Sequence, residues 1–158
     1  MSEFNRDEFN ADILSALDEI RLSSPDIKPT DPDDKVFTYL IASMFENTNE
    51  DTFSYTDGSN DKGIDFFVVN DNSYKFYQCK STDIDLNPSG KVFDATPVNE
   101  LDEAISYILS EEFIYAKSDV ENFKNAYRLS INENNLTAVL AIQGRLSRSG
   151  LERFNEIK

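Results

Sequence analysis

The chain has no histidine among its 158 residues. Every mechanism that needs an imidazole is thereby excluded, including the Ser-His nucleophile triad, the His general base and the His-held metal. It has a single cysteine, Cys79. Neither an internal disulfide nor a Cys-cluster zinc site can form, and a reducing, cytoplasmic compartment fits. No apolar run approaches the ~18 residues of a membrane-spanning helix, and residues 1–20 are too acidic for a secretory leader. No membrane is expected as a partner. Metal chemistry would have to draw on oxygen ligands, carboxylates first, which points to a hard cation such as Mg²⁺.

What is present is a globular composition. Hydrophobic residues make up 39% of the chain, with 12 Phe and 7 Tyr, too many for a disordered segment. The length suits one domain of roughly 100–200 residues, large enough for a core of its own. The net charge of −15 repels phosphate at long range, but it is unevenly spread. Residues 1–61 hold 15 acidic and 4 basic residues, whereas residues 111–158 hold 7 of each.

No repeat or linker divides the chain, so residues 1–158 read as one domain: an N-terminal helical extension over 1–31, a core over 32–143, and the start of a C-terminal helix over 144–158. Phe9, Ile13, Leu17 and Ile20 have helical spacing across 6–22, ended by Ser23-Ser24-Pro25. A second helix spans about 32–47, with Asp31 as its cap and Pro32 in its first turn. Its apolar face carries Val36, Phe37, Leu40, Ile41, Met44 and Phe45. Strands are expected at about 52–56, 63–70 and 74–81, with turns at Asp57-Gly58 and Asp71-Asn72. The strand over 63–70 is apolar on both faces, as a strand covered on both sides should be. A loop over 82–98 leads to a helix from about Asn99, with Leu101, Ala104, Ile105, Ile108 and Leu109 on one face. A helix over 118–129, an apolar strand Leu136–Ile142 and a helix from Ser147 complete the order. The fold class is α/β, a three-layer sandwich with a central mixed sheet flanked by helices.

A two-residue turn at Asp71-Asn72 makes paired positions sum to 143, so that Asp65 faces Gln78. Opposed residues share a face of the sheet. Alternation then gathers Asp65, Gln78 and Lys80 at one end of that face, with Phe67, Val69, Tyr74 and Phe76 filling the other end and Cys79 pointing away.

Asp65, twelve residues, then Gln78-Cys79-Lys80, preceded by Glu46 on a helix, resembles the PD-(D/E)XK nuclease superfamily. Gly63-Ile64-Asp65 and Tyr77-Gln78-Cys79-Lys80 look like its Mrr-like branch and the N-terminal domain of abortive-infection phage-resistance proteins, in which Gln-x-Lys replaces Glu-x-Lys. The likeness covers the element order of residues 32–143 and implies a restriction-endonuclease-like fold. It implies a Mg²⁺-dependent (Mn²⁺ substituting) endonuclease acting on nucleic acid, DNA, in phage defence or restriction. Asp65, Gln78, the Cys79 carbonyl and Glu46 would bind the ion, and Lys80 would polarise water and stabilise developing charge. The superfamily's name-giving proline is absent, since Lys62-Gly63-Ile64 precedes Asp65.

Other readings stay open beside it. Lys80 can be a solvated strand end pairing with Asp83, Glu46 an ordinary helix-surface acid, and Asp61 and Glu50 solvated loop carboxylates. Arg145, Arg148 and Arg153 are spaced for phosphate contacts, Arg145 and Arg148 first among them, or for a solvated helix face. The rival functions are a silent nuclease-fold binding module and an acidic DNA mimic. The mimic would spread its carboxylates evenly, whereas here they crowd before residue 62. The scarcity of cations, with the open-ended last helix and the likeness to longer phage-resistance chains, makes a further copy of the chain or a C-terminal domain the expected source of grip on a polyanion.

Overall fold

The structure, a computed structural model, describes residues 6–48, 53–56, 60–71, 73–82, 90–112, 114–130 and 135–157. Helices α1 (Arg6–Ser23) and α2 (Asp33–Phe45) come first, then strands β1 (Phe53–Tyr55), β2 (Phe66–Asn70) and β3 (Ser73–Lys80). After them come β4 (Lys91–Phe93), α3 (Thr96–Leu109), α4 (Ser118–Leu129), β5 (Leu136–Ile142), β6 (Gly144–Leu146) and α5 (Arg148–Glu156). The main sheet has the order β1-β2-β3-β5 and is mixed: β1, β2 and β3 run antiparallel, and β5 runs parallel to β3.

The hairpin pairs Asn70 with Ser73 and Phe66 with Tyr77, the register expected of a two-residue turn. Asp71 takes φ +49°, the left-handed conformation that Asp tolerates and that a primed hairpin turn requires. The turns expected at Asp57-Gly58 and at Asn72 itself lie outside the described residues.

Alternation along β2 and β3 feeds two cores. On one face Phe67, Val69, Tyr74 and Phe76 meet Leu101, Ala104 and Ile108 of α3 and Val120, Phe123 and Tyr127 of α4. The ring of Phe123 lies 4.8 Å from Phe67 and 5.9 Å from Tyr74. On the other face Phe66 and Tyr77 stack at 4.3 Å and pack with Ala42 and Ile41 of α2. Helices therefore cover both faces of the sheet, an α/β sandwich. Helix α1 adds a separate cluster on α2, where Leu17, Ile27 and Val36 are buried with Ile13, Leu14, Ile20 and Leu40 around them.

Several expectations are corrected. Asp31 does not cap α2. The N-cap is Pro32, without a side-chain bond, and the Asp31 carboxylate instead accepts the Lys28 N–H at 2.7 Å and the Lys35 ammonium at 3.1 Å. The stretch 82–98 is not all loop, since β4 forms there and pairs in parallel with β6. This crossing needs glycine at both contacts. A Cβ on Gly90 would lie 2.0 Å from the Gln143 carbonyl oxygen, and one on Gly144 2.0 Å from that of Lys91. Helix α3 begins at Thr96, not Asn99, with Pro97 in its first turn. Leu109, Met44 and Phe45 are exposed instead of buried. Among the described residues no helix is long and apolar enough to cross a membrane.

Phe76 is fully buried at the sheet centre, whereas Leu22 is exposed at the end of α1. Phe76→Ala should cost about 3–5 kcal/mol of unfolding free energy, and Leu22→Ala less than about 0.5 kcal/mol. Urea melts followed by circular dichroism check both, and comparable losses would contradict the assigned core.

Candidate active site

The chemistry-bearing residues gather where β3 leaves the apolar core, but on both of its faces. Gln78 is fully buried on the α3 side. Its Nε2 donates to the Pro97 carbonyl at 3.3 Å and to Glu100 Oε2 at 3.0 Å. Its Oε1 has no hydrogen-bond partner among the described residues, which is uncommon for a buried amide oxygen. Two residues on, the Lys80 ammonium lies 2.5 Å from the same Glu100 oxygen. A cavity of about 400 Å³ opens there, lined by Asp61, Lys62, Gly63, Lys80, Glu100 and Glu103 among others.

Asp65 goes the other way. Its N–H donates to the Tyr77 carbonyl at 2.8 Å, yet Tyr77 is already the partner of Phe66. Two consecutive residues thus oppose one, the arrangement of a β-bulge, which re-aims a side chain. The Asp65 carboxylate accepts the Cys79 N–H at 2.6 Å and lines a second cavity of about 400 Å³ on the α2 side, with Asp34, Lys35, Thr38, Tyr55, Asp61 and Cys79. Burial, reinforced by the charges of Asp61 and Asp34, pushes the Asp65 carboxyl up to about 6, against the opposing pull of the Cys79 N–H and Lys80. Burial also pushes the Cys79 thiol up, so it stays protonated and unreactive.

The expected common face of Asp65, Gln78 and Lys80 is therefore not formed: Gln78 and Lys80 share theirs, and Asp65 stands on the opposite one. Glu46 does not join them. At the end of α2 its carboxylate accepts the Tyr77 hydroxyl at 2.6 Å and the Lys75 ammonium at 2.7 Å, so it anchors the helix to mid-β3. Lys80 pairs with Glu100; its expected partner Asp83 lies outside the described residues, as does Glu50. Arg145 is exposed on β6, not on a helix. Arg148 is 94% exposed and bonded to Glu152. Arg153 is tied inward to Asp102 at 2.5 Å and Asn99 at 2.8 Å.

Two residues escaped the sequence reading. Glu100 sits one helical turn from Pro97 and Ala104, so an acid within the buried stripe of α3 was the available signal. Asp34 reads in sequence only as a carboxylate suited to a helix start, and nothing local says that it also faces Asp65.

The ligand set implied by the resemblance does not fit as placed. Glu46 is engaged elsewhere, Asp65 and Gln78 face opposite ways, and Cys79 meets Asp65 through its N–H. Among the described residues no group of three acidic or thiol side chains is placed to hold a metal ion. No family model matches the chain, and no curated protein or solved structure is significantly similar to it.

The raised Asp65 carboxyl has a thermodynamic sign. The folded state holds this proton more tightly than the unfolded chain, where the value is near 3.8. The resulting stability is complete below that pH and is lost as pH rises through about 6. At neutral pH the charged form then costs up to about 3 kcal/mol, at about 1.4 kcal/mol per pH unit. Asp65→Asn keeps the acceptor for Cys79 and removes the charge. Its melting temperature should match wild type at pH 4 and exceed it by several degrees at pH 7.5. Equal melting at pH 7.5 would show that the carboxylate carries no such cost.

Proposed function

We propose that this chain is a PD-(D/E)XK-like nuclease domain that hydrolyses phosphodiester bonds of DNA, with its reaction centre at the end of β3. One observation carries the reading. Asp65 is a desolvated carboxylate sharing a cavity with Asp34 and Asp61, with its proton affinity raised towards neutrality chiefly by burial. Such an arrangement is costly for folding and useful for chemistry. Asp65 is matched to take a proton from an attacking water near neutral pH. The water oxygen bonds to phosphorus, the bond to the leaving sugar oxygen breaks, and that oxygen is protonated from solvent. Lys80 starts on the opposite face of β3, paired with Glu100; released from that pair, its long side chain would reach round the strand end and bring positive charge to the phosphoryl oxygens. The resemblance also implies Mg²⁺, for which the described residues as placed form no ligand set.

A second reading is a nuclease-fold module that no longer cleaves. It is favoured by the Lys80–Glu100 ion pair and by the engagement of Glu46 with Lys75 and Tyr77. Labelled duplex and single-stranded DNA should be incubated with the chain in Mg²⁺, Mn²⁺ or EDTA, beside Asp65→Ala and Lys80→Ala. The nuclease reading expects cleavage with either metal, none in EDTA, and losses of at least about 100-fold in both variants with thermal melts showing that they remain folded. Equal cleavage by all three proteins would identify a contaminant. No cleavage under any condition would leave the silent module as the better reading.

A further inference from the structure

We propose that the outer edge of β5 is a self-association surface, on which a second copy of the chain pairs β5 with β5 in antiparallel and continues the sheet across a two-fold axis. The inference is independent of the nuclease reading.

Strand β5 ends the sheet. It pairs with β3 along its whole length, and among the described residues no strand pairs with its other edge. Proteins usually guard such an edge with charge, proline or a bulge. Leu136–Ile142, read Leu-Thr-Ala-Val-Leu-Ala-Ile, has no charged residue, no proline and no glycine. Its regular pairing from Tyr74↔Leu136 to Lys80↔Ile142 leaves no bulge. Six of its residues are partly exposed and Thr137 is exposed. At roughly 3.3 Å per residue the free edge is about 23 Å long.

The surface beside this edge is apolar. On the α2 side a cavity of about 300 Å³ is lined by Ile41, Phe45, Tyr77 and the β5 residues Val139 to Ile142. Phe45 stands at its rim 61% exposed, and its neighbour Met44 is 64% exposed. Antiparallel pairing of two identical edge strands places the two-fold axis perpendicular to the sheet. Both copies of α2 then lie on the same face. Phe45 and the cavity of each copy then flank the seam on that face, an isologous arrangement.

Charge selects the occupant. Two copies of a −15 molecule repel one another over most of their surfaces. The acidic excess lies in residues 1–61, whereas residues 111–158, which supply α4, β5, β6 and α5, hold 7 acidic and 7 basic residues. This uncharged strand within a balanced segment keeps that penalty smallest at this edge. A cationic peptide would find no carboxylate along it.

Sedimentation velocity on the chain from about 1 to about 300 µM tests the proposal, with Thr137→Lys placing a charge on the exposed edge and Phe45→Ser removing the rim ring. Both positions are exposed, and circular dichroism melts confirm folding. Wild type should form a dimer, and each variant should weaken it by at least about tenfold. A wild type that stays monomeric throughout overturns the proposal. So does a dimer that Thr137→Lys leaves unchanged, whatever Phe45→Ser does, because the strand edge would then not be the contact.

Discussion

Strand β3 is constrained on four sides, and the rest of the molecule is arranged around it. It bonds antiparallel to β2 along one edge and parallel to β5 along the other. Tyr74 and Phe76 pack into the α3 and α4 core, while Tyr77 stacks on Phe66 beneath α2. A slip of one residue would exchange the two faces. It would place Lys75 in the larger core and take Tyr77 away from Glu46. The register is therefore held by packing as well as by the turn at Asp71, and whatever chemistry sits at Gln78 and Lys80 inherits that rigidity.

The elements legible in the sequence are those whose burial follows one period. Helix α4 and strand β5 end where their apolar pattern ends, and the hairpin register follows from the length of its turn. The reading of the site went astray where one backbone irregularity outweighs periodicity. The doubled position opposite Tyr77 turns Asp65 to the α2 side, and alternation cannot foresee a bulge. Glu46 was assigned by its place near a helix end, but its partners Lys75 and Tyr77 are tertiary contacts. Strands β4 and β6, of three residues each, are too short to show a period. The glycines that permit their crossing, Gly90 and Gly144, look locally like loop residues. Met44 and Phe45 continue the apolar face of α2, yet both stand exposed, Phe45 beside the β5 end of the sheet.

Electrostatics at the end of β3 are unevenly resolved. On the α3 side the charges of Lys80 and Glu100 compensate each other at close range, leaving an amide oxygen as the unsatisfied group. On the α2 side Asp65 shares its cavity with Asp34 and Asp61, and the Cys79 N–H and the charge of Lys80 offset their effect only in part. Asp61 lines both cavities, so the loop before β2 touches each half. A phosphate-bearing ligand approaching here meets one side where positive charge is already taken and another where negative charge is in excess.

The parallel pairing of β3 with β5 also bears on how the chain acquires its fold. The β2–β3 hairpin is local and can close within microseconds. Its second neighbour arrives only after β4, α3 and α4 have been traversed, and Tyr74 must find Leu136. Contacts so distant along the chain carry a loop-closure cost before they return any stability, and such topologies fold slowly. Until β5 docks, both it and the far edge of β3 are unpaired apolar strands. The interval between hairpin closure and β5 docking is then the window in which nascent chains are most prone to misassociate. A refolding rate sensitive to substitutions in Leu136–Ile142 is its kinetic signature.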